Sequence, residues 1–340
     1  MPDNPMKPAI SDALIARRDL LKKLVLGVTG ASLSSSALAA LPDDIAGLKL
    51  KGNINHSVAR WTYGELSIEE LCMAAKAIGF NAIDVDILKL EASGREYYRL
   101  YFDKEESLVM CYLDPKKDNH TKFLHVSNFF TNLGINSPEI ILANQAVGVI
   151  IQQDLGDKCL IDIDLNENPE LLKQSLEILS KIQTAHIPQI DKLDEESLMI
   201  QMETIQSIFL EKFLSCKKLK ELEILQARAF SKLSEQPWMN CHFDFERRNL
   251  MADSSNEIAV IDFQDLCIGP VGIDLAGIIV DHYISYSDQL IDNALKHYVQ
   301  CLQLDVSVKD VNEWLRWGGI QRNMRILGTL SNLYIQDVYY

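Results

Sequence analysis

One short segment of the sequence carries imidazole, carboxyl and amide side chains at a spacing suited to phosphoryl transfer. It places His242, Asp244 and Asn249 in the pattern H-x-D-x-x-x-x-N, and a later apolar run ends in Asp262. Phosphoryl transfer needs a carboxylate that accepts the proton of the attacking hydroxyl, and hard oxygen ligands that hold Mg²⁺ against the phosphates. Asp244 suits the first task as catalytic base, and Asn249 with Asp262 suits the second.

His242, the remaining member of this pattern, has a structural role in our interpretation. We expect His242 to brace the catalytic loop through hydrogen bonds rather than to act as the chemical base. The H-x-D-x-x-x-x-N pattern and the apolar run that ends in Asp262 are two separate motifs. Either motif alone is compatible with chance, with residues 258–263 forming an ordinary core strand. Both motifs in this order, after a body whose strands precede its helices, indicate one site.

The elements that must position these residues begin near Ile87. Short β-prone runs come first and helical patterns with apolar stripes at three-and-four spacing come later, which predicts an α+β fold. The predicted strands cover residues 88–90, 97–102, 107–112, 139–143 and 148–153. The predicted helices cover residues 122–133, 169–186, 195–214, 218–234, 288–304 and 309–334.

Composition excludes some partners. The chain has 340 residues and a formal net charge of −15, which argues against nucleic acid because phosphate backbones are bound by clustered Lys and Arg. We interpret the acidity as an aid to solubility, and a locally basic pocket for a small anionic substrate stays compatible with it. The seven cysteines are dispersed and lack a C-x-x-C pair, which predicts reduced thiols and folding in the cytosol.

The first 40 residues predict an export signal. The pair Arg17 and Arg18 precedes an apolar stretch over residues 24–38, and Ala37 to Ala39 has the small-x-small form of a cleavage site. The apolar stretch is too short for a stable membrane span. An amphipathic N-terminal helix is the alternative interpretation.

Residues 41–86 predict a fragment of a different fold. Their strand–loop–helix–strand pattern, whose last strand covers residues 81–85, resembles the opening of exported hydroxypyruvate-isomerase-like TIM-barrel proteins over residues 49–86. A barrel of this type needs about 250 residues to close. We therefore assign no catalytic role to His56 or Arg60, and expect a truncated head joined to an unrelated body near Asp86.

The body resembles a known family along nearly all of residues 87–340. The matching segments are similar to the anomeric N-acetylmuramate/N-acetylglucosamine kinases of cell-wall recycling, a branch of the aminoglycoside-phosphotransferase family. Phe243 departs from the pattern, because the family usually has Arg there. The segments that carry the resemblance are residues 154–157, 244–251, 260–265, 269–275 and 319–328.

This resemblance implies a bilobal protein-kinase-like fold, with a small β-rich N-lobe at 87–155 and a helical C-lobe at 156–340. It also implies ATP and Mg²⁺ as cofactors and an anomeric hydroxyl as acceptor. Asp274 would brace the catalytic loop from the next helix. The implied nucleotide-binding residues are Arg95, Arg99, Gln152, Gln153, Asp154 and Leu155, and the implied substrate residues are Asp265, Gln321 and Arg322.

The export signal and the use of ATP conflict, because exported proteins reach a space that generally lacks ATP. The favoured interpretation is a fusion whose head is irrelevant to a cytoplasmic kinase body. The alternatives are an inefficient signal, or an exported pseudokinase that only binds a ligand. A kinase for an aminoglycoside, choline or homoserine is a further alternative, and isomerase activity ranks last. The expected partner is a small molecule, and the oligomeric state stays open.

Overall fold

The computed structural model describes residues 84–90, 94–103, 106–252 and 257–336, and internal contacts divide the chain into two compact units. In its described part, the first unit comprises residues up to 121 together with 139–154. The second comprises residues 122–138 and those from 155 onward. The predicted export signal and nearly all of the predicted head lie outside the described residues.

The first unit contains an antiparallel sheet with the strand order β1-β2-β3-β5-β4. Tyr98, Leu100 and Met110 form its buried core. Gly148 has φ 68°, and a Cβ there would lie 1.9 Å from the carbonyl oxygen of Leu113, so the turn before β5 requires glycine. The strands are β1 Asp84–Leu90, β2 Glu96–Asp103, β3 Glu106–Tyr112, β4 Ile140–Asn144 and β5 Val149–Gln153.

Strand β1 crosses the predicted junction between head and body. The sequence predicts two strands there, one over residues 81–85 and one over 88–90, with the junction near Asp86. The structure has a single strand that pairs with β2 from Asp84 to Leu90. The prediction was wrong here because the extent of this strand is set by its hydrogen-bonded partner, which lies downstream in the sequence.

Helices dominate the second unit, which confirms the predicted α+β fold. Two small antiparallel pairs join them, β6 Trp238–Cys241 with β9 Cys267–Pro270, and β7 Leu250–Ala252 with β8 Ile258–Val260. The helices are α1 Thr121–Leu133, α2 Pro169–Thr184, α3 Glu195–Thr204, α4 Lys220–Ser234, α5 Gly272–Ile279, α6 Asp288–Leu302 and α7 Val308–Ile335.

Local signals explain where several helices begin. Ser307 and Asp310 form a complete capping box at the start of α7. Ser287 caps α6 and Asp194 caps α3 through side-chain oxygens that accept backbone N–H bonds. The helix predicted over residues 195–214 changes pitch after Thr204, because Ile205–Phe213 forms π-helical turns.

Residues 122–138 pack with the second unit, although the sequence predicts them as part of the lobe at 87–155. The rings of Phe123 and Phe130 lie 4.7 and 5.0 Å from that of Phe263. The backbone N–H of Val260 also donates to the carbonyl oxygen of Asn136 at 2.8 Å. Aromatic packing and a main-chain hydrogen bond therefore hold α1 beside β8.

Helices α5 and α7 cross at very short range. A Cβ at Gly318 of α7 would lie 1.9 Å from the carbonyl oxygen of Gly272 at the start of α5. Glycine at this crossing brings the middle of α7 against α5 and the loop before β7. Within the described residues, no helix is both long and apolar enough to cross a membrane.

Candidate active site

The loop that joins β6 to β7 carries the H-x-D-x-x-x-x-N motif and is anchored by a buried carboxylate. Asp274 of α5 is fully buried. Its two oxygens accept the backbone N–H groups of His242 at 2.5 Å and Phe243 at 2.8 Å. Burial raises the pKa of Asp274, and the neighbouring His242 and the two N–H groups oppose that rise. These contacts confirm the expectation that Asp274 braces the loop.

Phe243 adopts a backbone conformation that is unusual for an aromatic residue. Its φ is 76°, in the left-handed region where a bulky side chain is strained. Its ring is buried, and the guanidinium of Arg325 lies 5.1 Å from the ring centroid. Arg325 also donates to the carbonyl oxygen of Phe243 at 3.2 Å. The strained turn is thus held by Asp274 on one side and Arg325 on the other.

Asp244 lies beyond this turn and is oriented by two arginines of α7. Arg322 and Arg325 donate to its Oδ1 at 3.1 and 3.2 Å, whereas Oδ2 receives neither bond. Partial burial would raise the pKa of Asp244, but the charges of Arg325 and Arg322 outweigh this effect and lower the pKa. The side chain is 44% exposed. Asp244 is therefore an ionised carboxylate with an oxygen accessible to a ligand.

Hydrogen bonds link Asn249 to Asp244 within the motif and to Ile261 beyond it. Its side-chain Nδ2 donates to the backbone oxygen of Asp244 at 2.9 Å, which leaves Oδ1 as a possible metal ligand. The N–H of Ile261 donates to the backbone oxygen of Asn249 at 3.0 Å. The ring Nε2 of His242 contacts the carbonyl oxygen of Ile261 at 2.9 Å, which confirms the bracing contact expected of this histidine.

Asp262 follows Ile261 directly and therefore lies beside the loop. The predicted strand over residues 258–263 is too long, because β8 ends at Val260 and Asp262 has φ 63°. The amide Nε2 of Gln264 donates to Oδ1 of Asp262. The side-chain oxygens of Asn249 and Asp262 are ligands of the kind that suits Mg²⁺, which usually takes one or two protein ligands besides phosphates and water. The described residues contain no group of three His, Cys, Asp or Glu side chains arranged for a metal.

Two predicted nucleotide-binding residues of the first unit are paired with each other. Arg99 donates to both carboxylate oxygens of Asp154, at 2.6 and 3.1 Å, and the hydroxyl of Ser107 donates to Asp154 at 2.6 Å. The charge of Arg99 is therefore balanced inside the protein. Both residues support the sheet in this structure, because they join the end of β5 to β2.

Arg95 differs from Arg99, because its buried Nε atom has no hydrogen-bond partner. The residue is 6% exposed and follows Gly94, whose φ is 79°. A buried guanidinium without a full set of acceptors is costly unless an anion binds to it. Arg95 is thus the better candidate for contact with a phosphate.

The other predicted nucleotide residues lie at and after the end of β5. Gln152 is buried and its Oε1 atom lacks a partner. The N–H of Gln153 donates to the carbonyl oxygen of Glu139 at 2.8 Å. Leu155 follows β5 and belongs to the second unit. The unmatched amide oxygen of Gln152 could accept a hydrogen bond from a ligand.

The predicted substrate residues are dispersed. Arg322 contacts Asp244, but Gln321 is turned towards α3, where its Nε2 donates to Oε1 of Gln201 at 2.9 Å. Asp265 is exposed in the turn that precedes β9. Of the three predicted substrate residues, the structure therefore brings only Arg322 to the candidate base.

Several charged residues around Asp244 were not predicted from the sequence. Arg325 lies one helical turn after Arg322, so their spacing on α7 could have identified it. Glu246 pairs with Arg322 and with Arg248. Arg247 is buried and donates to both oxygens of Asp281 at 2.6 and 3.1 Å. These arginines lie within or beside recognised motifs but were assigned no role.

Comparison with known proteins gives two kinds of match. The model of the phosphotransferase enzyme family matches residues 86–305. An N-acetylmuramate/N-acetylglucosamine kinase from Neisseria meningitidis serogroup B is 25% identical over 273 residues, which cover 75% of this chain and 80% of that protein.

Solved structures show a similar fold at low sequence identity. A choline/ethanolamine kinase family protein from Mesorhizobium loti aligns with a TM-score of 0.56 and 14% identity, covering 82% of this chain and 85% of that one. An ADP-bound aminoglycoside phosphotransferase aligns with a TM-score of 0.51 and 14% identity, covering 76% and 99% of the two chains. These matches confirm the protein-kinase-like fold predicted from the sequence.

Proposed function

Because the chain belongs to the phosphotransferase enzyme family, we propose that this small-molecule kinase transfers the terminal phosphoryl group of ATP to the anomeric hydroxyl of an amino sugar. The relative from Neisseria meningitidis supports N-acetylmuramate and N-acetylglucosamine as acceptors. The ADP-bound structural relative supports a nucleotide as donor.

One observation carries this proposal: the hydrogen bonds that join Asp244, Asn249 and Ile261 place three oxygen-bearing side chains around one loop. The bonds run from Asn249 to Asp244 and from Ile261 to Asn249, and Asp262 follows. Asp244 is our candidate base, and Asn249 and Asp262 are our candidate metal ligands. These two residues would hold Mg²⁺, which would supply positive charge against the negative charge that develops on the phosphates.

Asp244 would orient the acceptor and receive its proton. In the proposed step, the acceptor oxygen forms a bond to the γ-phosphorus while the bond from that phosphorus to the bridging oxygen of ADP breaks. The hydroxyl proton passes to Oδ2 of Asp244, because Oδ1 is held by Arg322 and Arg325. A carboxylate with a lowered pKa is a weak base, which suits a loose transition state in which the proton moves late.

The nature of the base also favours an anomeric acceptor. The hydroxyl of a hemiacetal is more acidic than that of an ordinary alcohol, so a weak base can accept its proton more readily.

In the first unit, we propose that Arg95 binds a phosphate, because its buried guanidinium lacks an internal partner at Nε. We propose the cytoplasm as the compartment, because ATP is available there and a sugar 1-phosphate would serve the recycling of cell-wall sugars.

Product analysis tests the proposal. The full chain is incubated with ATP, Mg²⁺ and one acceptor at a time, and the products are examined by ³¹P NMR. We expect a sugar 1-phosphate from N-acetylmuramate or N-acetylglucosamine, and ADP in equal amount. If only an aminoglycoside or choline were phosphorylated, the proposed amino-sugar acceptor would be wrong. Absence of transfer to the two amino sugars, the aminoglycoside and choline alike would refute the kinase proposal.

A further inference from the structure

A small cleft lined partly by the loop that carries the candidate base has a distinctive charge pattern. It lies in the second unit, next to the end of α5. Its lining includes Glu246, Arg248, Asp281, His282 and Tyr283. The proposed reaction assigns no role to these side chains, although Glu246 and Arg248 belong to the same loop as Asp244.

The acidic groups of this cleft are buried and neutralised from within the protein. The side chain of Glu246 is 7% exposed and pairs with Arg322 and Arg248. The side chain of Asp281 is 4% exposed and pairs with Arg247, which is itself 2% exposed. Neither carboxylate therefore offers a free negative charge to a ligand.

The exposed groups are cationic, aromatic or hydrogen-bonding. The side chain of Arg248 is 48% exposed, although its Nε lies against Glu246. Tyr283 is 61% exposed and His282 is exposed beside it. The fork of a guanidinium suits a carboxylate, which can accept two parallel hydrogen bonds. The accessible face of the cleft therefore matches an anionic group.

Ion pairs connect this face to the candidate base. Glu246 pairs with both Arg248 and Arg322, and Arg322 also donates to Oδ1 of Asp244 at 3.1 Å. Arg248 therefore belongs to the same network of charged side chains as the candidate base. A molecule whose hydroxyl reaches Asp244 can place a second group near Arg248.

We propose that Arg248, with His282 and Tyr283, binds a carboxylate on the acceptor and makes the enzyme selective for amino sugars that carry an acid. This inference rests on the proposed function. N-acetylmuramate has such a carboxylate on its lactyl ether, and N-acetylglucosamine lacks it. Hydrogen bonds to a charged group of this kind correspond to about 10- to 100-fold in kcat/KM.

The decisive experiment compares N-acetylmuramate with its methyl ester, which keeps the shape and removes the charge. The full chain and its Arg248→Gln and Arg248→Lys variants are assayed with both acceptors and with N-acetylglucosamine. For the unmodified chain, we expect a kcat/KM ratio of acid to ester of about 10 to 100. Arg248→Gln should bring this ratio towards one, mainly through KM, and Arg248→Lys should retain part of it.

A matched control is Arg316→Gln, because the Arg316 side chain is 69% exposed on α7 and its carboxylate partner Glu313 lies 3.8 Å away. We expect this control to preserve the ratio. An unchanged ratio in Arg248→Gln, with N-acetylglucosamine still phosphorylated, would overturn the inference and leave the kinase proposal intact. Absence of transfer to every sugar in the unmodified chain would refute both.

Discussion

Replacing Asp274 by asparagine should loosen the loop that carries Asp244. The carboxylate of Asp274 is fully buried and accepts two backbone N–H groups, from His242 and Phe243. Asparagine keeps one acceptor oxygen, but its NH₂ group would oppose the second N–H donor. The φ of 76° at Phe243 then loses part of the support that maintains it.

The size of this effect follows from the two hydrogen bonds. A buried donor left without its acceptor costs about 1–3 kcal/mol, and a hydrogen bond to a charged group contributes about 1.5–3 kcal/mol. Loss of one bond and weakening of the other should therefore lower the free energy of unfolding by about 2–4 kcal/mol, or release the loop locally at similar cost. In either case kcat should fall, because the position of Asp244 depends on this turn.

Three measurements separate these outcomes. Urea unfolding reports the global free energy, hydrogen exchange reports protection of the His242 and Phe243 amides, and steady-state kinetics reports kcat. The control is Asp292→Asn, which removes an exposed pair with Lys296 and should change stability by about 0.5 kcal/mol or less. Unchanged amide protection together with an unchanged unfolding midpoint in Asp274→Asn would refute the bracing role.

Two further predictions concern single arginines. Arg325→Ala should raise the pKa of Asp244, because Arg325 is the leading cause that lowers it, and the acid limb of the kcat profile should therefore move to higher pH; an acid limb at the same pH would contradict this. Arg95→Gln should weaken ATP binding, measured by calorimetry, about tenfold or more without lowering stability, because its buried Nε lacks an internal partner. The matched variant Arg99→Gln should instead lower stability, because it breaks the ion pair with Asp154. If the affinity for ATP fell in Arg99→Gln and not in Arg95→Gln, the phosphate-binding role would belong to Arg99 and not to Arg95.

Much of the fold is visible in the sequence because local signals agree with the tertiary structure. Helices α6 and α7 begin at Ser-capped positions, and their predicted starts at residues 288 and 309 match the structure within one residue. The H-x-D-x-x-x-x-N spacing also survives, because Asn249 returns to Asp244 through a hydrogen bond inside one short loop. Contacts of short sequence separation are therefore predictable from spacing alone.

The remaining features depend on long-range packing. Arg325 reaches Asp244 only because α7 crosses α5 at Gly318 and Gly272, which lie 46 residues apart along the chain. The guanidinium beside Phe243 therefore comes from a distant helix and not from the loop itself. The left-handed conformation of Asp262 is only weakly indicated by its residue type, because aspartate is enriched in this region but also occurs at ordinary strand ends.

The most direct test of the central claim is single-turnover phosphoryl transfer by Asp244→Asn with ATP labelled in its γ-phosphate. If Asp244 is the base, the rate of sugar 1-phosphate formation should fall by about 10²- to 10⁴-fold, while the affinity for ATP measured in the same variant stays within about threefold. A transfer rate within tenfold of that of the unmodified chain would contradict the account.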